Sequence, residues 1–239
     1  MASAQKEAKT IGIIGGLGPA ATVDLFDKIV RATPAASDQE HLHILIDNNP
    51  RIPNRNDAIE GTGPSPAPHL AESARRLERA GAEAIVMACN TAHYFQPEIE
   101  AAISVPFLSM VEATIDETLK LKPARVGVLA ADGAVRAGIY QRGFAARGVE
   151  PLMLPDEGQR AFMALVYRVK SGDRGLAVHE GMLAHANSLI ARGAEAIVAA
   201  CTEVPLVLGA DDLPAPFVSS TDALVRRTLA FALGSNLGA

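Results

Sequence analysis

Several features are scarce in this sequence, and each scarcity narrows the possible functions. The 239 residues include no Trp, and aromatic residues make up 4% of the chain, so we expect no stacking platform for nucleic-acid bases or sugars. The net charge is -5, whereas nucleic-acid binding requires a basic face. Two cysteines without a cluster of histidines are too few for a structural zinc site. Neither nucleic acid nor structural zinc is therefore expected as a partner.

Long hydrophobic runs are also missing. No segment approaches the roughly 20 apolar residues that a membrane span requires, and the polar stretch 1–10 lacks the apolar core of a signal peptide. We therefore expect a cytoplasmic protein that does not bind membranes. Thiols stay reduced in that compartment, so Cys89 and Cys201 are predicted to be free rather than joined in a disulfide.

What the sequence does contain is a nine-residue stretch that occurs twice. Residues 81–89 read Gly-Ala-Glu-Ala-Ile-Val-Met-Ala-Cys, and residues 193–201 repeat them with one substitution at the seventh position. The only two cysteines of the chain end the two copies, 112 positions apart (201 − 89). Two strand-like runs that begin near Ile11 and Val126 are 115 positions apart (126 − 11). Two landmarks at nearly equal offsets indicate an internal duplication.

Short apolar segments alternate with helical segments along the chain, which predicts an α/β fold with parallel sheets. We expect two pseudo-symmetric domains, each a parallel sheet flanked by helices. The first domain would comprise residues 1–112 together with 215–239, and the second domain residues 113–214. Ligands of open α/β sheets bind beyond the carboxyl ends of the strands. The predicted active site therefore lies in the cleft between the domains, with Cys89 and Cys201 on opposite walls.

Two facing thiols permit a particular reaction. A thiolate is a base as well as a nucleophile, and its pKa falls near a helix N-terminus or a cation. One thiolate can remove a proton from a carbon while a thiol on the opposite face returns one, which inverts the configuration of that carbon. This chemistry needs no metal or organic cofactor when hydrogen-bond donors stabilise the carbanion-like transition state. The duplicated cysteines therefore favour a reaction that inverts a carbon centre.

Three motifs resemble those of one enzyme family: Gly-Gly-Leu-Gly-Pro at 15–19, Cys-Asn-Thr-Ala-His at 89–93 and Cys-Thr-Glu at 201–203. They are similar to the motifs of the cofactor-independent aspartate/glutamate racemases, above all the branch of aspartate and broad-specificity amino-acid racemases. The resemblance runs from about residue 11 to the last predicted helix. It implies an isomerase that interconverts L- and D-aspartate, or glutamate or a broader set of amino acids, without pyridoxal phosphate, any other cofactor or a metal. It also implies a role in D-amino acid metabolism, a small-molecule amino-acid substrate and a homodimer.

The resemblance also assigns roles to residues. Cys89 and Cys201 would be the paired acid and base of catalysis. The polar loop 47–55 resembles the family's substrate-binding loop, and the cations Arg51 and Lys170 would contact substrate carboxylate groups, with Arg able to bind them in bidentate fashion. The full set of implied substrate-binding residues is Gly16, Leu17, Gly18, Asn48, Arg51, Asn90, Thr91, Lys170, Thr202 and Glu203.

Within this set, Asn90, Thr91 and Thr202 would hold the α-carboxylate, and the glycine loop would let the backbone approach the ligand closely.

The chain departs from the glutamate racemases of cell-wall synthesis. Those enzymes carry an acidic residue, Ser and Gly after the first strand and a His after the second Cys-Thr. Two glycines at 15–16 and Glu203 stand at those positions here. These departures favour the aspartate racemase branch.

Other interpretations stay open at this point. Relatives in the same superfamily isomerise maleate or decarboxylate arylmalonates, and a protein that closes around a carboxylate without turnover is a third possibility. The pattern Gly16-x-Gly18-x-x-Ala21, with Asp47 at the end of the second strand, superficially fits a dinucleotide fingerprint, but it leaves both cysteine motifs unexplained. His93 either tunes the neighbouring thiol or packs in the core. The glutamate of the last motif either orients a thiol or an amine, or caps a helix.

Overall fold

In the computed structural model, which describes residues 8–234, strands and helices alternate along the chain. The ends of the predicted first domain, 1–7 and 235–239, lie outside the described residues. None of the helices within 8–234 combines the length and the hydropathy needed to cross a bilayer. The elements are β1 (Ile11–Gly15), α1 (Pro19–Ala32), β2 (Ile44–Asn48), α2 (Arg55–Glu60), α3 (Ala67–Arg79), β3 (Ala84–Met87), α4 (Gln96–Glu100), α5 (Met110–Leu119), β4 (Arg125–Ala130), α6 (Asp132–Arg136), α7 (Ile139–Ala145), β5 (Glu150–Leu152), α8 (Asp156–Lys170), α9 (Leu176–Ala191), β6 (Ala196–Ala200), β7 (Phe217–Ser219) and α10 (Ser220–Leu233).

The strands form two sheets in which neighbouring strands are parallel. The first sheet has the order β2-β1-β3, with Ile11 opposite Ile44 on one side and Ala84 on the other. The second sheet has the order β5-β4-β6-β7, with Val126 opposite Ala196. Parallel neighbours need crossover connections, and the helices between the strands supply them. The predicted α/β class, with parallel sheets flanked by helices, is confirmed.

Both faces of each sheet are covered by helices, which explains why the strands are continuous apolar runs. In β1, Ile14 packs toward α3, whereas Ile11 and Ile13 pack toward α1 and α10. In β4, Leu129 packs with α8 and α9, whereas Val128 packs with α5 and α7. All residues of β1 and β6 are buried. Core packing therefore determines where the central strands of each sheet end.

Two equivalent glycines show that the duplication extends to the packing. A Cβ atom added to Gly12 in β1 would lie 2.8 Å from Cδ1 of Ile85, and one added to Gly127 in β4 would lie 2.7 Å from Cδ1 of Ile197. The two isoleucines hold the same position in the nine-residue repeat. At these two matching glycines, the packing of each sheet leaves no room for a side chain.

Helix α5 packs against the second sheet, and helix α10 packs against the first sheet. Val111 of α5 packs with Val126 in the second sheet, and Leu224 of α10 packs with Ile11 in the first sheet. The predicted division into 1–112 with 215–239 and 113–214 stays a prediction. Within 215–234, strand β7 pairs with β6 in the second sheet, whereas α10 packs on the first sheet.

We predict that Gly12→Ala and Gly127→Ala each lower the free energy of unfolding, because the new methyl group overpacks a filled interior. Such overpacking typically costs about 1–3 kcal/mol. Urea unfolding followed by circular dichroism measures the change.

Gly158→Ala in α8 is the matched control, since a Cβ atom there would meet its nearest neighbours at 3.5 Å, an ordinary contact. It should be neutral or stabilise the protein by up to about 1 kcal/mol. Equal effects of all three substitutions would contradict the packing described for β1 and β4.

Candidate active site

A cavity of about 360 Å³ lies where the carboxyl ends of the two sheets meet. The segments that follow β1, β3, β4 and β6 all border it, and α8 and residues from the loop after β2 complete its wall. Both sheets are parallel, so each directs the ends of its central strands to this one place. The cavity therefore lies where the sequence predicts the active site.

Both thiols border this cavity. Cys89 follows β3 and Cys201 follows β6, and their exposed fractions are 8% and 5%. Both are free cysteines. A short 3-10 helix begins just beyond each of them, at Thr91 and at Val204. Each sulfur is thus held in the wall of the cavity, between the end of a buried strand and the start of a helical turn.

The sulfur of Cys201 belongs to a buried network. Its thiol donates to Oε2 of Glu203 at 3.0 Å, and Oγ1 of Thr202 donates to the same oxygen at 3.3 Å. The ammonium of Lys170 forms an ion pair with Oε1 of Glu203. Burial, followed by the Glu203 carboxylate, raises the pKa of Cys201 well above its usual value, and Lys170 opposes this shift. Burial alone would lower the pKa of Lys170, but Glu203 and the charges of Cys201 and Cys89 together outweigh burial and raise it.

A different network holds Asn90, the residue after Cys89. The phenol of Tyr140 donates to Oδ1 of Asn90 at 2.5 Å, and Nδ2 of Asn90 donates to Oγ of Ser220 at 2.9 Å. All three side chains are buried. Burial raises the pKa of Tyr140 above its usual value, which keeps the phenol protonated as a donor. Tyr140 lies in α7 and Ser220 begins α10, so residues far apart in the chain orient Asn90.

His93 packs in the core rather than tuning a thiol. Its Nδ1 lies 2.8 Å from the carbonyl oxygen of Cys89, and its Nε2 accepts the backbone N–H of Met110 at 3.0 Å. Because Nε2 accepts, the ring proton is assigned to Nδ1, which donates to the carbonyl. Burial lowers the pKa of His93 to about 4. The neutral imidazole therefore connects the first cysteine motif to the start of α5.

The loop after β2 brings Arg55, and not Arg51, to the cavity. Its Nη1 donates to the carbonyl oxygens of Ile52 and Pro53 at 3.2 and 2.8 Å, and its Nη2 donates to that of Leu17 at 3.0 Å. Its Nε is buried without a hydrogen-bond partner within residues 8–234. Backbone carbonyl groups of this loop and of the glycine loop therefore hold the guanidinium in place.

Two of the implied substrate-binding residues do not border the cavity. Arg51 is exposed, because the tight turn from Asn49 to Ile52 directs the isoleucine into the core and the arginine to solvent. Asn48 is exposed at the end of β2, an edge strand of its sheet. The other eight implied residues all border the cavity: Gly16, Leu17, Gly18, Asn90, Thr91, Lys170, Thr202 and Glu203.

The glycine loop approaches its neighbours too closely for side chains. Gly16 has φ +84°, and a Cβ atom there would lie 2.4 Å from the backbone of Asn49. Gly18 has φ +150°, and a Cβ atom there would lie 2.8 Å from Oε1 of Glu203 and 3.3 Å from Nζ of Lys170. A carboxylate thus occupies the N-terminus of α1, where a dinucleotide phosphate would bind. This arrangement disfavours the dinucleotide interpretation.

The two halves contact each other directly beside the cavity. Oδ1 of Asn56 in α2 accepts the backbone N–H of Gly133 in α6 at 2.9 Å, and Arg136 pairs with Glu60 at 3.3 Å. A Cβ atom on Gly133 would lie 2.6 Å from Oδ1 of Asn56. Between residues 8 and 234, no three side chains of His, Cys, Asp or Glu are grouped so that they could hold a metal ion.

Comparisons with known proteins agree with this geometry. Residues 14–228 match the Asp/Glu/Hydantoin racemase family, and the chain belongs to that family. It is therefore an isomerase of the racemase class, and the resemblance seen in its motifs is confirmed.

Individual relatives support the same class. The chain is 28% identical over 230 residues to the broad specificity amino-acid racemase RacX of Bacillus subtilis, covering 92% of this chain and 96% of that protein. The structure of Picrophilus torridus aspartate racemase superposes with a TM-score of 0.86 at 30% identity, covering 96% of each chain. The glutamate racemase RacE1 of Bacillus anthracis, with a TM-score of 0.64 at 19% identity over 93% of this chain and 80% of that one, shares the fold.

We predict that Tyr140→Phe destabilises the protein, because Oδ1 of Asn90 loses its donor and stays buried. An unsatisfied buried acceptor costs about 1–3 kcal/mol. Chemical unfolding measures this change. Tyr94→Phe is the matched control, since Tyr94 is 49% exposed, and it should leave the unfolding free energy unchanged. An unchanged unfolding free energy in Tyr140→Phe would contradict the network.

We predict that His93 makes the protein less stable as the pH falls. Its pKa is about 4 in the folded protein, against an ordinary value of 6.5, so between these values the unfolded chain binds a proton that the folded chain rejects. Linkage then lowers the unfolding free energy by about 2 kcal/mol between pH 7 and pH 5, with no further loss below the folded pKa.

Urea unfolding at the two pH values tests this expectation. His93→Gln should remove that part of the pH dependence, whereas His69→Gln, on an exposed position of α3, should retain it. An equal pH dependence in His93→Gln and the unmodified protein would show that the imidazole is not buried in its neutral form.

Proposed function

We propose that this protein interconverts L- and D-aspartate by proton transfer at Cα between two cysteines, independently of pyridoxal phosphate. One observation carries the proposal. Cys89 and Cys201 come from matching strand ends of two different sheets, and both border one cavity. A cavity with one thiol would support proton removal but not delivery of a proton to the opposite face.

The reaction follows from the properties of a thiol and a thiolate. The thiolate removes the Cα proton, and the electron pair that remains is delocalised into the α-carboxylate. The thiol on the other side then donates its proton to the opposite face of the carbon. Hydrogen bonds from Asn90, Thr91 and Thr202 would hold the α-carboxylate and stabilise the charge that develops there. These three residues border the cavity next to the two cysteines.

The charges around the cavity support an acidic substrate. Two cationic side chains border the cavity, Arg55 and Lys170. Lys170 is paired with Glu203, so Arg55 is the cation that a substrate carboxylate would meet. We assign to Arg55 the role that the resemblance gave to Arg51, because Arg55 is the arginine of that loop that reaches the cavity. A buried guanidinium N–H that donates to a carboxylate gains a charge-assisted hydrogen bond.

The relatives add support at the level of substrate class. The Picrophilus torridus protein is an aspartate racemase and the Bacillus subtilis protein is a broad specificity amino-acid racemase. We infer aspartate as the principal substrate, with glutamate or other amino acids as further ones.

We also propose a cytoplasmic homodimer. The exposed apolar side chains Val23, Phe26 and Val30 along α1 offer a face for a second copy.

We predict that Cys89→Ala and Cys201→Ala each lower racemisation of aspartate by at least about a hundredfold, the scale of a lost acid or base. Each variant should still exchange the Cα proton of one enantiomer with deuterated water, because the remaining thiol can remove and return a proton on its own face. Chiral chromatography with mass spectrometry measures both quantities.

The two variants serve as controls for each other, since they should exchange opposite enantiomers. Full two-way racemisation by either variant would overturn the proposal. Aspartate binding without any exchange in the unmodified protein would favour a carboxylate-binding protein instead. Conversion of maleate or an arylmalonate would point to the other activities of the superfamily.

A further inference from the structure

The two cysteines match in chain position, but their sulfur atoms have different partners. Sγ of Cys201 lies 3.0 Å from Oε2 of Glu203. For Sγ of Cys89, no hydrogen bond is found within residues 8–234. The difference arises two residues beyond each cysteine, where the first motif has Thr91 and the second has Glu203. The two copies therefore share a cysteine but differ in the hydrogen-bond partner of its sulfur atom.

The bond between Cys201 and Glu203 must contain one proton. A thiolate and a carboxylate are both acceptors only, so two ionised groups would repel each other at 3.0 Å. The ammonium of Lys170 pairs with the other oxygen of the Glu203 carboxylate, which favours the ionised carboxylate. The proton therefore resides on the sulfur.

We propose that Glu203 holds Cys201 as the thiol in the resting enzyme, so that Cys201 starts catalysis as the acid and Cys89, the other member of the pair, acts as the base. This inference rests on the proposed function and assigns starting roles to the two cysteines. Glu203 is then a positioning residue, which acts on the substrate through the Cys201 thiol.

The proton balance of one turnover follows. The Cys89 thiolate takes the Cα proton and becomes a thiol, and the Cys201 thiol gives its proton to the opposite face and becomes a thiolate. That thiolate now lies beside the Glu203 carboxylate, with Lys170 as the neighbouring cation. Exchange with water returns the resting state when Cys89 releases a proton and Cys201 regains one. No oxidant, reductant or further reactant is required.

The groups that surround Cys201 all bear on its protonation. Glu203 and burial favour the thiol, and Lys170 favours the thiolate. Tyr140 stays neutral because burial raises its pKa, and the charge of Cys201 adds to that shift. Arg55 borders the same cavity and supplies a second cation. The glycine loop on the facing side contributes no titratable side chain.

Steady-state efficiency cannot reveal which thiol is protonated. The two enantiomers have equal free energies, so kcat/KM must be the same in both directions whatever the protonation of the free enzyme. The thiols themselves must be observed. Alkylation by iodoacetamide requires the thiolate, and the chain has two cysteines, so peptide mass spectrometry follows each one separately.

The experiment measures the alkylation rate of each cysteine from pH 6 to pH 11 in the unmodified protein and in Glu203→Gln. The midpoint for Cys201 should lie above that of an ordinary cysteine thiol, because burial and the Glu203 carboxylate raise its pKa. Glu203→Gln should lower the Cys201 midpoint, and at a pH below that midpoint the alkylation rate should rise about tenfold for each pH unit by which the midpoint falls. The Cys89 profile should stay in place. Because midpoints are compared, unequal access of the reagent does not affect the result.

Two further variants keep the test decisive. Lys170→Met removes the cation and should raise the Cys201 midpoint, in the opposite direction to Glu203→Gln. If one of these two variants fails to fold, the other still tests the inference. Glu180→Gln removes the same charge from an exposed position of α9 and should move neither midpoint. A Cys201 midpoint at or below that of an ordinary cysteine thiol, or one that neither Glu203→Gln nor Lys170→Met moves, would overturn the inference. The readout requires no racemisation, so failure of the proposed function would be recognised separately by the Cys→Ala variants.

Discussion

The carboxyl ends of two parallel sheets meet at one cavity, and the rest of the site depends on that placement. Strands β3 and β6 are buried along their whole length, so Cys89 and Cys201 project from the core of the protein rather than from mobile loops. A proton transfer to and from opposite faces of one carbon requires the two sulfur atoms to keep their separation. Core packing in both halves supplies that constraint.

The duplication provides symmetry in the scaffold, and the residues around the cysteines break it. Gly12 and Gly127 exclude a side chain in the same way in the two sheets. Beyond the cysteines, the second motif has a buried carboxylate at Glu203, whereas the first has Asn90, held by groups from the second half of the chain. A reaction whose substrate and product are mirror images suits a symmetric scaffold. Its acid and its base must nevertheless start in different protonation states.

Sequence reasoning predicted the parallel α/β fold from the alternation of apolar and helical segments, because burial of strands and helix faces determines the spacing of apolar residues. The resemblance of the loop assigns a carboxylate contact to Arg51, whereas Arg55 is the arginine of that loop that borders the cavity. The direction of each side chain depends on the turn that buries Ile52, which the sequence pattern does not contain. Tyr140 carried no signal, because its bond to Asn90 spans 50 positions of the chain. Contacts of that kind are set by packing between elements, which single-sequence patterns do not contain.

Deuterium incorporation during the first few per cent of turnover tests the two-base racemase most directly. The unmodified enzyme would act on L-aspartate in deuterated water, and the enantiomers would be separated and weighed by mass spectrometry. The account predicts D-aspartate with one deuterium at Cα, while the unreacted L-aspartate keeps its hydrogen. D-aspartate that retains the original hydrogen, or L-aspartate that gains deuterium as fast as D-aspartate forms, would show that one base acts on both faces and would contradict the account.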